Sequence, residues 1–532
     1  MNPAPARPRG ARGDAAFLLA AALWLALSIG WRPLTSPDEG RYAGVAYAML
    51  QSGDWLVPRL NGLPFFHKPP LFYWIGAAAM AVAGPHPWAA RLPSLMGAWL
   101  AAGSLFWFLR RHASRAQARL ATAVLCSAPF FYVGAQFANL DMLVAGCISA
   151  CVLAAADASL AWERGQPWRG ALALAFASAA LGLLAKGLIG VVLPAGVFVL
   201  WAFAGRRPRV LRLAAWWPGW LLLVTIAGPW FVAMQRHFPA FFDYFVITQH
   251  FRRFAASGFN NEHPFWFYLP VMLGLCLPWS AWLMAARRRP AGEPGPARRR
   301  LDDVDLLMLA WAVVVVLFFS LPRSKLIGYV LPALPPLATG IARLAGRAAT
   351  GAAGRRLLGA TAGAAALACL GSVVLAARLG TPPDATLRLP AGQAVAPGDR
   401  VVMLDQYFYE LPFYWRMPAP VVVAADWRPE VAQASDNWRK ELADAARFDP
   451  ASAARLLQPI EAQPGLLCGA GRTWVIGPSN AQLVAPWVLG LTLVTFNAHI
   501  AVWRHDGRPG EAPDCLSHTG APGAIPLAGA PA

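Results

Sequence analysis

The chain has 532 residues, 57% apolar, 12% aromatic and only 14% charged, where soluble domains carry about 25% charged residues. That deficit, with its repeated long apolar runs, excludes a soluble globular protein and marks a polytopic membrane protein. The formal charge of +19 sits in short arginine clusters between apolar runs, which the positive-inside rule explains without any nucleic-acid partner.

A spanning helix needs about 20 apolar residues. The first run, Ala15 to Trp31, ends without a small-residue cleavage site and reads as a retained helix rather than a secretory signal. Candidate spans are 15–32, 92–109, 118–136, 142–161, 169–185, 187–204, 213–233, 265–286, 304–321, 326–345 and 357–378. The fold class expected is therefore a polytopic α-helical membrane protein of about eleven to thirteen transmembrane helices. Leu71 to Gly84 is short for a span and reads as re-entrant or interfacial. With Arg7, Arg9 and Arg12 on the cytoplasmic side, the basic clusters at Arg110–Arg119, Arg206–Arg212, Arg287–Arg300 and Arg343–Arg356 all fall on that side too.

The opposite face then collects Asp38, Glu39, Arg41, His67, Lys68, Asn139, Asp141, Lys186, Asp243, His250, Arg252, Arg253, Arg323 and Lys325. Acids, histidines and bases gather where positive charge is normally depleted. The pattern is that of a site built at the outer membrane surface. Residues 1–380 read as the transmembrane domain, with periplasmic loops near 33–91 and 234–264, and 381–532 as a soluble periplasmic α/β domain. Cys468 and Cys515 fall in that polar part, where a disulfide between them is open.

Charge beside a bilayer is costly unless paired, hydrated or used. In "SPDEGRYAGVAYAML", Ser36 or Asp38 suits a helix cap and Glu39 a first turn, and Gly40–Leu50 reads as an amphipathic helix on the membrane surface. Asn139 likewise suits a cap, and Lys186 snorkelling. Taken together, these residues put several cations around one or two carboxylates at headgroup depth. Cations there bind phosphate, and arginine does so through two parallel hydrogen bonds. A lipid phosphate acting as leaving group fits the arrangement.

"SPDEGRYAGVAYAML", "GDWLVPRLNG", "FFHKPPLFYW", "AARLPS", "PWFVAMQRHFPAFFDYF", "QHFRRF" and "LPRSKLIGYVLPALPPLA" together resemble the ArnT-type glycosyltransferases, which share the GT-C fold with protein O-mannosyltransferases. The resemblance runs in order through residues 15–345, and the C-terminal part matches only loosely, around "YELPFYW". It implies sugar transfer from a polyprenyl (undecaprenyl) phosphate carrier, the sugar being 4-amino-4-deoxy-L-arabinose or another amino sugar and the acceptor a lipid A phosphate. By motif, Asp38 is the first-loop acid, Asp141 the second acid, and Arg41 and Lys68 hold the carrier phosphate, with Arg252 and Lys325 as further phosphate-binding candidates. His250 matches a histidine associated with a metal ion. Where the family commonly has Glu-Lys-Pro-Pro, this chain has His67 before Lys68, so a zinc site of His67 and His250 stays open. The alternatives are a protein O-mannosyltransferase-like enzyme with a different acceptor, and a lipid or sugar transporter, which would place its charges near mid-membrane.

Overall fold

The computed structural model describes residues 9–252, 261–287, 301–349, 351–379, 387–417, 420–460, 466–467 and 471–507, with backbone alone at 9–10, 250–252 and 285–287. Cys468 and Cys515 lie outside them. The chain divides into two compact units. One groups Met1–Arg32, Arg91–Ala233 and Asn261–Ala376; the other groups Pro33–Ala90, Met234–Asn260 and Ala377–Ala532.

The first unit holds the membrane helices. Among the described residues, seven helices are long and apolar enough to cross a bilayer: α1 Pro87–His112, α2 Leu140–Glu163, α3 Arg169–Lys186, α4 Trp217–His237, α5 Asp303–Ser320, α6 Ile327–Ala348 (its first turns 3-10) and α7 Gly351–Leu379. An eighth is counted if Arg115–Ser127 and Pro129–Ala135, bent by 69°, form one span. The eleven expected runs differ from this count for local reasons. The bend falls at Pro129, which lacks the amide that would continue the helix. The 265–286 run is split into Tyr268–Leu275 and a 3-10 segment from Trp279, on either side of Pro278. Ile189–Ala204 has 16 residues, and the first helix, Arg9–Ala26, carries Arg12 and Asp14 within it.

Small residues set the packing. A Cβ on Gly146 of α2 would lie 2.2 Å from the Gly97 carbonyl oxygen of α1, and one on Gly97 would lie 2.4 Å from the Met142 carbonyl oxygen. The two helices therefore touch backbone to backbone, the close approach that glycine allows between membrane helices. Gly190 meets Gly182 of α3 in the same way, at 2.3 Å. Arg91, fully buried in α1, donates to the carbonyls of Ile29 (2.8 Å) and Arg32 (2.9 Å), satisfying backbone left open after the first helix ends.

The second unit combines helices of the first loop with a C-terminal mixed sheet and its own short helices. The helix Asp38–Ser52 buries Glu39, Gly40, Tyr42, Ala43, Val45, Ala46, Tyr47 and Met49. It is thus packed within this unit, where a surface-lying amphipathic helix was expected. The helix Leu71–Ala83 has 13 residues, about 20 Å at 1.5 Å per residue, short of the roughly 30 Å hydrocarbon core. In the C-terminal part, β1 Arg400–Leu404, β2 Val422–Ala425, β3 Leu457–Pro459, β4 Arg472–Pro478, β5 Thr492–Phe496 and β6 Ile500–Asp506 form one sheet in the order β3-β2-β1-β4-β6-β5. The β3-β2-β1-β4 run is parallel; β6 pairs antiparallel with β4 and with β5. Val402, Leu404, Val475 and Trp503 close its core.

Gly146→Leu leaves α1 no room to approach, and overpacking of this kind costs about 1–3 kcal/mol or more. Thermal unfolding in detergent is expected to show a clearly lowered midpoint for Gly146→Leu and a smaller loss for Gly146→Ala.

Candidate active site

In the second unit, the helix Asp38–Ser52 starts with acids in its first turn, where the positive end of the helix dipole favours them. Neither Ser36 nor Asp38 supplies the cap. Glu39 turns back instead, accepting from the Thr35 amide at 2.9 Å and the Thr35 hydroxyl at 2.6 Å. That leaves Asp38 outside the capping interaction and 37% exposed. Three residues on, one turn along the same face, Arg41 donates to Asp38 through Nη2 and to Glu441 through Nη1.

Glu441 lies on the helix Trp438–Ala446 and accepts from the Tyr409 hydroxyl at 2.6 Å. The Arg41 guanidinium also faces the rings of Tyr42 (5.1 Å) and Tyr409 (6.0 Å). Burial works against the Arg41 charge, but Glu441, Tyr42, Tyr409 and Asp38 together hold the guanidinium protonated well beyond its ordinary range. Burial likewise pushes the Glu441 carboxyl above the usual carboxylate range, against the opposing pull of Arg41 and Tyr409. Tyr73, buried on Leu71–Ala83, stands 6.3 Å from Tyr42 ring to ring. Gly40 leaves room for the buried Glu410 carboxylate, which a Cβ there would meet at 2.3 Å.

His67 is buried and stacked on Phe65 at 4.5 Å, with Tyr244 at 5.9 Å. Lys68 follows it, half-buried, ahead of Pro69 and Pro70. Phe66 locks this turn in place by packing edge-on against Phe238, Phe241 and Phe448 at 4.8–5.1 Å. The side chains of His250 and Arg252 lie outside the described residues. Among the described residues no three histidine, cysteine, aspartate or glutamate side chains cluster. Aromatic rings flank His67 among the described residues, and the side chain of its expected partner in a zinc site, His250, lies outside them.

In the first unit, Asp141 opens α2 and is 5% exposed. Asn139 caps this helix, accepting from the Asp141 amide at 2.9 Å, so the capping reading of Asn139 describes its contact. Lys186 at the end of α3 pairs with Asp141, and its ammonium sits 4.4 Å from the Tyr329 ring centre. Gly328 lets the backbone pass this carboxylate: a Cβ there would meet Asp141 Oδ2 at 2.5 Å. Lys325 is buried, and its ammonium donates to backbone carbonyls, including those of His263 at 2.8 Å and Pro322.

Residues 67–232 match the family described as dolichyl-phosphate-mannose-protein mannosyltransferase. The chain is 34% identical over 314 residues to the undecaprenyl phosphate-alpha-4-amino-4-deoxy-L-arabinose arabinosyl transferase of Aeromonas hydrophila, a match covering 59% of this chain and 56% of that one. It is 35% identical over 324 residues to the Aeromonas salmonicida protein of the same name, covering 59% and 57%. The chain therefore spans a little over half the length of the curated relatives it matches. The crystal structure of ArnT from Cupriavidus metallidurans bound to undecaprenyl phosphate superposes with a TM-score of 0.75 over 92% of this chain and 97% of that one, at 23% identity. The chain therefore shares the fold of ArnT. The GT-C fold, the multi-pass membrane character and the C-terminal sheet all agree with it.

Two groups of this site were not among the residues singled out from sequence. Glu441 is 400 positions from Arg41, on a helix whose amphipathic pattern is ordinary. Tyr409 begins "YELPFYW", the loose C-terminal match, and that was its only signal.

Asp444, one turn beyond Glu441, is buried with only long contacts, to Tyr244 and Gln433 at 3.4 Å each and Arg447 at 3.4 Å. Burial pushes its carboxyl above the ordinary range. The folded state thus binds this proton more tightly than the unfolded chain, and stability falls as pH rises from about 4 toward neutrality. Asp444→Asn removes that loss. Its melting temperature relative to wild type is expected to climb across that pH interval, and a constant difference would contradict the assignment.

Proposed function

We propose that the chain is a glycosyltransferase of the bacterial inner membrane. It moves a sugar, 4-amino-4-deoxy-L-arabinose or a related amino sugar, from undecaprenyl phosphate to a phosphate of lipid A on the periplasmic face. The observation that carries this is Arg41, fixed between Asp38 and Glu441 at the start of a first-loop helix in an ArnT-type fold. The names of the relatives support the donor and the sugar, and the positive-inside pattern supports the periplasmic side of the first loop.

In this reading the bond between the anomeric carbon and the carrier phosphate oxygen breaks, and its electron pair leaves with undecaprenyl phosphate. An oxygen of the acceptor phosphate forms the new bond from the opposite face, inverting that carbon. Arg41 and Lys68 take up the charge on the departing phosphate, Arg41 through its fork of N–H donors. Binding of phosphate exchanges for the Arg41 contacts to Asp38 and Glu441. The acceptor phosphate is already anionic near neutral pH, so it needs no general base. Asp38 instead orients the reactants and stabilises positive charge as it develops at the anomeric carbon. Asp141, held by Lys186, is the second acid of this reading, and Arg252 stays a candidate for the phosphate.

A hydroxyl acceptor is the second reading, favoured by the match of residues 67–232 to protein mannosyltransferases. Asp38 is then the general base. Mass spectrometry of lipid A from cells that make the donor, expressing wild type, Asp38→Ala or neither, separates the two. The proposal predicts one added sugar mass with wild type only. Addition by Asp38→Ala removes that residue from the mechanism, and no addition despite donor and protein transfers the acceptor to the protein-hydroxyl class.

A further inference from the structure

Away from the acids and bases of the first loop, the first unit contains a groove of about 720 Å³ between α1, α2 and α3. Its wall is Trp99, Gly103 and Trp107 of α1, Leu153 of α2 and Leu174 of α3, and its lower end carries Arg110 and Arg111. From Trp99 to Arg111 is about 18 Å along the helix, close to one leaflet of hydrocarbon at about 15 Å. Trp107 and Leu174 are more than half exposed, so the groove opens sideways along membrane-spanning helices.

Two features suit it to an acyl chain that ends in a headgroup. Its floor is hollow: a Cβ on Gly103 would meet nothing within 4 Å. Its basic end also carries surplus positive charge. Asp14 is shared by Arg110 (2.9 Å), Arg115 (3.1 Å) and Arg119 (2.9 Å), and Asp157 by Arg111 (2.9 Å) and His112 (2.6 Å). Four guanidiniums thus surround two carboxylates, and Arg111 is half exposed. An apolar channel one leaflet long, ending in surplus guanidinium charge, is complementary to an acyl chain that ends in a phosphate.

We propose that this groove binds one anionic glycerophospholipid from the leaflet on the basic side, its acyl chain along α1 and its phosphate at Arg111. The site shares no residue with the Arg41 cluster and does not depend on the proposed transfer reaction. A guanidinium near the membrane surface contributes about fivefold to the binding of an anionic headgroup. Gly103→Leu fills the hollow with a side chain that meets no packed neighbour, and so tests the acyl channel independently of charge.

Native mass spectrometry of the purified full-length chain, with phosphatidylglycerol or phosphatidylcholine added at equal concentration, reads this directly. Wild type is expected to retain phosphatidylglycerol in preference to phosphatidylcholine. Arg111→Ala is expected to lower that retention about fivefold, and Gly103→Leu to lower it for both lipids, with thermal unfolding confirming that each variant is folded. Equal retention of the two lipids by wild type overturns the proposal. So does phosphatidylglycerol retention that neither folded variant reduces.

Discussion

Arg41 lies between Asp38 and Glu441, and the architecture of the second unit follows from what that position demands. A buried guanidinium facing Tyr42 and Tyr409 is costly unless its charge is matched and its hydrogens are bonded. Asp38 supplies one partner from the same helix turn. The other comes from the far end of the chain, on the helix Trp438–Ala446. The C-terminal part thus supplies a carboxylate to an arginine of the first loop.

The first unit meets its own charges in a similar way. Asp141 has Lys186, Asp14 has three arginines, and Arg91 has the carbonyls that follow the first helix. Between these polar points the helices rely on small residues, and the Gly97–Gly146 and Gly182–Gly190 contacts bring backbones together where larger side chains would hold them apart. Rigid packing of this kind suits a protein whose charged groups must stay in register beside lipid.

Much of this was legible in the sequence, because membrane helices and headgroup-depth charges are written in local composition. The Ser36–Leu50 stretch pointed to Asp38 and Arg41, and Asn139 read correctly as a cap. What was not legible depends on contacts between distant segments. Nothing near Arg41 names Glu441, and nothing near Lys186 distinguishes snorkelling from a pair with Asp141. The contacts of the Lys325 ammonium to backbone carbonyls are likewise revealed by no local pattern. The cap of the first-loop helix was misread for a related reason: Glu39 reaches back to Thr35, so the residue expected to cap, Asp38, is left to face Arg41. Apolar length alone also hides the breaks at Pro129 and Pro278, which interrupt runs whose composition is otherwise continuous.

The account turns on Arg41 as the group that receives the carrier phosphate. The most direct test is the affinity of the purified full-length chain for undecaprenyl phosphate, wild type against Arg41→Gln, with thermal unfolding confirming that both are folded. Loss of a charged hydrogen-bonding partner costs about 1.5–3 kcal/mol, so the variant is expected to bind at least tenfold more weakly. A folded Arg41→Gln chain with wild-type affinity would contradict the assignment of Arg41 to the carrier phosphate.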